Sequence, residues 1–322
     1  MAKKICFMSI KKRGMSMDLK ILQQTLIPAN VSFSYFTWEE DRGNYHYRKA
    51  VKEAKKYYLQ HADVCIGIDE SLLFAKKRDC TETSCRKILI SLPYTWLRDS
   101  SRFFLDANTK LCSISPYTTE LLQNKKDIKG GFIIECVQSP TSESLNQHEA
   151  ADAIKKRWFS YYPQIRGKKI IAFLYSGKAP EINIKKWGWS LDTCLKNLPE
   201  DSFLFTNHPA HREQFFDIRY DENLPCAFVG KMLPYRQLLY FCDTLITNDA
   251  VLFHYACARK IPAYGLKRSG FEKSLDGKYG KIFLSSGKDL AGIEEKDSAY
   301  DKNVWDYFAY HEGISIADLI LE

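Results

Sequence analysis

No apolar run in this chain reaches the ~18 residues that a bilayer-spanning helix needs, so the sequence offers no transmembrane helix. Nor does it hold a Cys-x-x-Cys pair: ten cysteines are scattered at positions 6, 65, 80, 85, 112, 136, 194, 226, 242 and 257. Most lie in apolar runs, as Cys65 does in Asp-Val-Cys-Ile-Gly-Ile, and read as buried thiols of a reducing cytoplasm. Cys80 and Cys85 sit in a polar loop with no His close in sequence, which argues against a metal site there. No His/Cys/Asp cluster has ligand spacing, so neither a metal nor another cofactor is expected. Helix-turn-helix, zinc-finger and ribonucleoprotein aromatic motifs are also missing, and no nucleic-acid partner is expected. The opening Met-Ala-Lys-Lys-Ile-Cys-Phe-Met-Ser-Ile has too short an apolar part for a signal peptide, and Lys11, Lys12 and Arg13 follow at once; a cytoplasmic location is the expectation.

What the sequence does contain is a globular composition, 45% hydrophobic and 27% charged. A chain of 322 residues is long enough for two domains, each of roughly 150 residues. The net charge is +8, with basic clusters at Lys3–Arg13, Arg48–Lys56, Lys76–Arg86, Lys155–Lys169 and Arg259–Lys281. Such a surface suits nucleotide phosphates or acidic lipid headgroups, and peripheral contact with an anionic membrane is one expectation. A merely solvated positive surface is the alternative.

The hydrophobic pattern predicts strands alternating with helices. In the first half the strands are Lys4–Ser9, Val31–Phe36, Asp63–Ile68, Lys87–Leu92, Leu111–Ser115 and Phe132–Val137; helices are expected over Ser16–Leu26, Tyr47–Gln60, Ser71–Lys77 and Tyr117–Asn124. The polar stretch Gln138–Glu149 reads as a linker. Beyond it a helix over Ala150–Tyr161 precedes strands at Ile170–Tyr175, Ser202–Thr206, Thr244–Thr247 and Ala263–Leu266, with helices at Ser190–Asn197, Pro234–Phe241 and Leu252–Arg259. The fold class read from this is α/β, with two Rossmann-like domains, 1–149 and 150–322, facing a cleft.

Four loops of the second half fall at carboxyl ends of its strands, where parallel sheets bind ligands. The first holds Ser176 and Gly177, hydroxyl and backbone donors for a phosphate, and runs on to Lys185-Lys186-Trp187-Gly-Trp189. The second is Thr206-Asn-His208-Pro209; the third contains Gly230, which permits close backbone approach. The fourth is Asp243-Thr-Leu-Ile-Thr-Asn-Asp249-Ala-Val-Leu-Phe-His254-Tyr-Ala-Cys-Ala-Arg-Lys-Ile-Pro262. It reads as a buried strand, a polar turn and a small-residue helix whose N-terminal N–H groups would face a phosphate. An ordinary capping Asp is the plainer alternative.

In this order the loops resemble the nucleotide-sugar-binding domain of GT-B glycosyltransferases, most closely the ADP-heptose:lipopolysaccharide heptosyltransferase family. Ser176-Gly177, Lys185-Lys186-Trp187, the Gly230-Lys-Met-Leu-Pro-Tyr approach, and Thr247, Asn248, Asp249, His254, Ala256 and Pro262 carry the likeness. The resemblance implies that Lys186, Asp249, Ala250 and His254 hold the diphosphate of a nucleotide-sugar donor, and that the acceptor is a saccharide or lipid-linked hydroxyl in bacterial surface polysaccharide assembly. One departure stands out: the family has Ser or Thr and then Gly after the Asp, where this chain has Ala250-Val251. A second resemblance, through His208-Pro209, Asp243-Thr-Leu-Ile-Thr and Phe253-His-Tyr-Ala, is to teichoic-acid glycerophosphotransferases that use CDP-glycerol. This chain departs from them in having Asp249-Ala-Val-Leu where they carry an Asp-Tyr-Ser-Ser turn, and their His-Gly-Thr motif has no counterpart here. A non-catalytic nucleotide-sugar-binding protein is the alternative of a different class.

Transfer to a hydroxyl needs a base in the first half. Asp18, at the loop-to-helix start after the first strand, resembles the Gly-Asp element of heptosyltransferase-like enzymes; an acid favoured by the helix dipole is the plainer alternative. Glu39, Glu40, Asp41, Asp69 and Glu70 are further sources of a base. Tyr94-Thr-Trp96 and Ser115-Pro-Tyr117 would either line an acceptor pocket or pack in the core. The Asp-x-Asp metal motif of other glycosyltransferases is absent, so the resemblance implies metal-independent chemistry.

Overall fold

The computed structural model describes residues 2–10, 17–38, 44–68, 72, 84–91, 103–105, 109–124, 128–129, 132–139, 148–175, 185–207, 224–229, 235–267 and 279–322. Two compact units emerge: Met1–Ser144 with Tyr307–Glu322, and Leu145–Asp306. The first is built on strands β1 (Lys3–Ile10), β2 (Val31–Trp38), β3 (Val64–Ile68), β4 (Arg86–Ser91), β6 (Thr109–Ser113), β8 (Phe132–Gln138) and β15 (Ile314–Ser315), with a separate short pair of β5 (Phe103–Phe104) and β7 (Ile128–Lys129). The seven-stranded sheet has the order β15-β8-β6-β4-β3-β1-β2, and every pairing is parallel. Parallel strands are buried on both faces and therefore read as continuous apolar runs. Ile5, Cys6, Phe7 and Met8 of β1 are all at most 2% exposed.

The helix Tyr45–His61 covers one face of this sheet. Asn44 accepts the Tyr47 N–H at 3.0 Å and caps its start. Its inward residues Lys55 and Leu59 are buried, and Tyr58 stacks on Phe36 with ring centroids 5.2 Å apart. The Lys55 ammonium lies 5.7 Å from the centre of the Trp38 ring.

The chain returns to the first unit for its last residues. Sequence reading assigned 307–322 to the second domain, and the structure differs. β15 adds to β8 in register Ile314↔Val137, and the helix Ile316–Leu321 has its terminal carbonyls taken up by the first unit. Lys3 Nζ donates to the Ile320 and Leu321 carbonyls at 3.0 and 2.8 Å, and the Arg86 guanidinium donates to Leu319. These cations satisfy orphan carbonyls and oppose the dipole at the helix end. Tyr310 reaches Thr119 Oγ1 at 3.0 Å and donates to Cys136 Sγ at 3.2 Å. Burial, reinforced by the Cys136 sulfur, pushes Tyr310 up to about 12, so it stays protonated as a donor. Ser115 and Tyr117 belong to this packing. Ser115 is fully buried in a hydroxyl network with Ser113 and Thr118, and Tyr117 is 2% exposed against Tyr307 and Phe308. They are core residues of the first unit and line no acceptor surface.

The second unit carries β9 (Lys169–Leu174), β10 (Ser202–Asn207), β11 (Cys226–Val229), β12 (Thr244–Thr247), β13 (Ala263–Leu266) and β14 (Phe283–Leu284). Their order is β11-β10-β9-β12-β13-β14, again all parallel. Counted within the unit this is 3-2-1-4-5-6, the Rossmann order, whose direction reverses between β9 and β12. Ile171, Phe173, Leu204, Ile246 and Tyr264 point to one face, against Trp189, Cys194, Leu290 and Ile293. On the helix His148–Tyr161, Trp158 packs against Phe205 and Phe241 and donates its indole N–H to Gln237 at 3.1 Å. The expected helix over Pro234–Phe241 is a 3₁₀ segment, Tyr235–Tyr240. Of the described cysteines all are free thiols, and Cys136 alone among them is exposed.

Asp297 ties the amino ends of three strands to the helix Ile293–Ser298. Lys169 approaches its Oδ2 at 2.6 Å, Thr244 donates to the same oxygen at 2.5 Å, and Tyr264 donates to Oδ1 at 3.0 Å. Burial, and then the Asp297 charge, push the Tyr264 phenol well above its ordinary value, which keeps it a donor. Removing the carboxylate leaves a half-buried ammonium and two hydroxyls without their acceptor. Asp297→Ala is expected to destabilise the second unit by about 2–4 kcal/mol, with Asp297→Asn intermediate. Urea denaturation followed by tryptophan fluorescence reads this as a lower midpoint at unchanged slope.

Candidate functional site

At the reversal point of the second sheet three strand ends lie side by side. Thr247 of β12 is in register with Leu174 of β9, and Thr206 of β10 with Phe173 of β9. The next residues, Tyr175, Asn207 and Asn248, therefore share one edge, where ligands of such sheets bind. The Tyr175 N–H donates to Asn207 Oδ1 at 2.8 Å, which fastens the start of the β9 loop to the end of β10. Sequence reading placed His208 here and passed over Asn207; an amide at a strand end beside a His-Pro turn was the available signal.

The Thr247–Asp249 turn is held by its own side chains. The Asp249 N–H donates to the hydroxyl of the fully buried Thr247 at 2.9 Å. The Asp249 carboxylate accepts the N–H groups of Val251 at 2.9 Å and Leu252 at 3.3 Å, capping the helix Ala250–Ala258. Two of the N–H groups that the sequence reading offered to a phosphate are thus engaged by Asp249 itself. What remains is the positive end of the helix, opening at Ala250, which is half-buried. His254 is 1% exposed, one turn inside the helix, with its ring 5.3 Å from Tyr255. The helix ends in paired bonds from Lys260 N to Cys257 and Ile261 N to Ala256, both 2.9 Å, with Lys260 at φ 56°. Pro262 follows and stops it.

Lys186 is exposed in a short helical turn before Trp187-Gly188-Trp189. Trp189 is 1% exposed, with its ring 5.1 Å from Phe173. Gly188 has φ +81°, and a Cβ there would stand 3.1 Å from Ser286. The Gly287 N–H donates to the Gly188 carbonyl at 3.1 Å. This docks the lysine-bearing turn on the 3₁₀ segment Gly287–Gly292, which Ser286 and Asp289 close with a capping box.

Asp18 is the second residue of the helix Met17–Leu26, which follows β1. In the first sheet β1 lies between β2 and β3, giving the order 2-1-3-4 and a reversal between β1 and β3. Ser176, Gly177, His208 and Gly230 lie outside the described residues, as do Glu39, Glu40, Asp41, Asp69, Glu70, Tyr94 and Trp96. Among the described residues no group of three or more His, Cys, Asp or Glu side chains is placed to hold a metal ion.

No protein-family model and no curated protein matches the sequence. Solved structures do match. The wall teichoic acid polymerase TagF is 14% identical, with 99% of this chain and 88% of that one covered at a TM-score of 0.59. The UDP-GlcNAc 2-epimerase of Methanocaldococcus jannaschii is 10% identical, with 100% and 99% covered at 0.60. A second structure of that epimerase, in complex with UDP-GlcNAc and UDP, is 12% identical at 0.52, with 100% and 98% covered. At these identities the likeness establishes the fold. It is α/β with two parallel sheets, of the GT-B type. A polymerase and an epimerase share it, so the fold leaves the reaction to the site.

The capping box around Asp289 makes the lysine-bearing turn acid-sensitive. Burial disfavours ionisation of this carboxyl, but the Ser286 and Ser285 N–H groups and the Lys296 ammonium outweigh it and hold the carboxyl below its usual range. A depressed folded value gives stability that is fully present above the unfolded value of about 3.9 and is lost as pH falls through the folded value. Melting temperatures of wild type and Asp289→Asn between about pH 6 and pH 2 are expected to differ most at the upper end and to converge in acid.

Proposed function

We propose that this chain is a metal-independent GT-B glycosyltransferase. It moves a sugar from a nucleotide-diphosphate donor to a hydroxyl of a saccharide or lipid-linked acceptor, on the cytoplasmic side of bacterial surface polysaccharide synthesis. The observation that carries this reading is the meeting of Tyr175, Asn207 and the Thr247–Asp249 turn at the reversal of the second sheet.

In this reading the 145–306 unit holds the donor. The diphosphate faces the N-terminus of the helix Ala250–Ala258, with the Ala250 backbone nearest and the Asp249 cap setting the turn. His254 supports the site from within the helix. Ser176, Gly177, His208 and Gly230, which follow β9, β10 and β11 in sequence, contact the donor, and Lys186 offsets phosphate charge. As the acceptor oxygen bonds to the donor carbon, Asp18 takes its proton. The bond to the diphosphate breaks, and the negative charge on the leaving group is offset by the helix end and Lys186. Metal independence rests on the missing Asp-x-Asp motif.

A second reading is a CDP-glycerol-type glycerophosphotransferase. The likeness in fold to TagF supports it, as do His208-Pro209, Asp243-Thr-Leu-Ile-Thr and Phe253-His-Tyr-Ala. A nucleotide-sugar-binding protein without turnover is the non-catalytic reading.

A thermal-shift screen with UDP, GDP, ADP, CDP and CMP conjugates separates the readings, because a ligand that binds the native state raises its melting point. One base class is expected to stabilise the protein. Asp249→Ser keeps a capping oxygen and so folds normally, yet is expected to change the affinity for that class several-fold. Turnover with the stabilising donor is expected to fall at least a hundredfold in Asp18→Asn at unchanged donor affinity. Donor binding without turnover in wild type would favour the binding protein. No shift with any nucleotide would remove both transferase readings.

A further inference from the structure

The helix Tyr45–His61 in the first unit has a solvent face that the transferase reading leaves without a task. Its inward side is settled: Lys55 and Leu59 are buried, and Tyr47, Val51, Ala54 and Tyr58 are half-buried. On the outward side Tyr45, Lys49, Lys52, Lys56 and Gln60 recur at a spacing of four, three, four and four residues and form one exposed stripe. Arg48 and Tyr57 flank it, also exposed. Four cations thus meet a single acid, Glu53, which lies 3.9 Å from Lys49 in a pair more than 60% exposed at both ends. Tyr45 and Tyr57, near the two ends of the helix, are 66% and 56% exposed.

We infer that this face docks on an anionic lipid surface. The positive stripe complements the headgroup charge of an acidic leaflet. The two tyrosines favour a bilayer over other polyanions: an amphipathic ring with a polar tip is suited to headgroup depth. The stripe from Lys49 to Lys56 is about 10 Å long by helix rise, enough to engage more than one headgroup at once. Because the helix is pinned to the sheet through Tyr58 on Phe36 and Lys55 over Trp38, it presents this face ready-formed. Docking needs no donor and no turnover, so it stands or falls separately from the transferase reading.

Co-sedimentation of the full chain with vesicles of phosphatidylglycerol and phosphatidylcholine, against phosphatidylcholine alone, tests it at low and at high salt. Wild type is expected to bind the anionic vesicles selectively and to release them as salt shortens the screening length. Lys49→Glu/Lys52→Glu/Lys56→Glu is expected to lose roughly a hundredfold in affinity, from about a fivefold share per lysine near an anionic surface. Lys281→Glu/Lys288→Glu/Lys302→Glu removes the same charge from exposed positions of the second unit and is expected to stay near wild type. Tyr57→Ala is expected to weaken binding at salt concentrations where the lysines are already screened. If the helix triple variant unfolds, as read by circular dichroism, the corresponding Lys→Gln set replaces it. Equal losses in the two triple variants would reduce the effect to net charge and overturn the inference. So would equal binding to neutral and anionic vesicles, no binding to either, or loss of single-stranded RNA binding in the helix variant with vesicle binding intact.

Discussion

The pairing of β9 with both β10 and β12 is the constraint on which the second unit depends. Both partners follow β9 in the chain yet lie on opposite sides of it, and the carboxyl edge beside such a reversal is where parallel sheets bind ligands. Here that edge is assembled from backbone register, Thr247 beside Leu174 and Thr206 beside Phe173, and then locked by single side chains. Asn207 holds Tyr175, Thr247 holds Asp249, and Asp249 holds the helix start. At the amino ends of β9, β12 and β13 Asp297 draws Lys169, Thr244 and Tyr264 together, so the sheet is fixed at both ends.

The first unit is arranged by the same rule, with its own reversal between β1 and β3 and Asp18 in the helix that leaves β1. Its closure comes from the far end of the chain. The segment after Asp306 pairs with β8, inserts Tyr310 among Thr119 and Cys136, and hands its last carbonyls to Lys3 and Arg86. The two ends of the sequence thus meet in one unit.

Much of this was legible in the sequence because parallel strands are buried on both faces and leave unbroken apolar runs. Thr244–Thr247 and Ala263–Leu266 match residue for residue, and β1, β9 and β10 differ by a residue or so at their ends. What escaped was decided by tertiary contact. β11, β14, β15 and the closing helices are two to six residues long, too short for periodicity to declare them. That Tyr307–Glu322 belongs to the first unit rests on pairings across most of the chain. Ser115-Pro-Tyr117 looked able to line a pocket because its burial depends on Tyr307 and Phe308. In the site the Asp249 turn was legible as a turn, but its carboxylate closing on Val251 and Leu252 was not, since a cap and a ligand contact draw on the same residue type. Asn207 was missed because its role is a bond to a residue 32 positions earlier.

In the proposed function the open edge beside Tyr175, Asn207 and Asn248 receives a nucleotide diphosphate. Hydrogen exchange read by mass spectrometry, with and without saturating UDP, CDP, ADP or GDP, tests it most directly. Slowed exchange with one of these nucleotides, concentrated in peptides that contain Asn207 and Asn248–Leu252 and absent from β3 and β4, is the expected result. Protection confined to the first unit, or none with any of the four, would contradict the account.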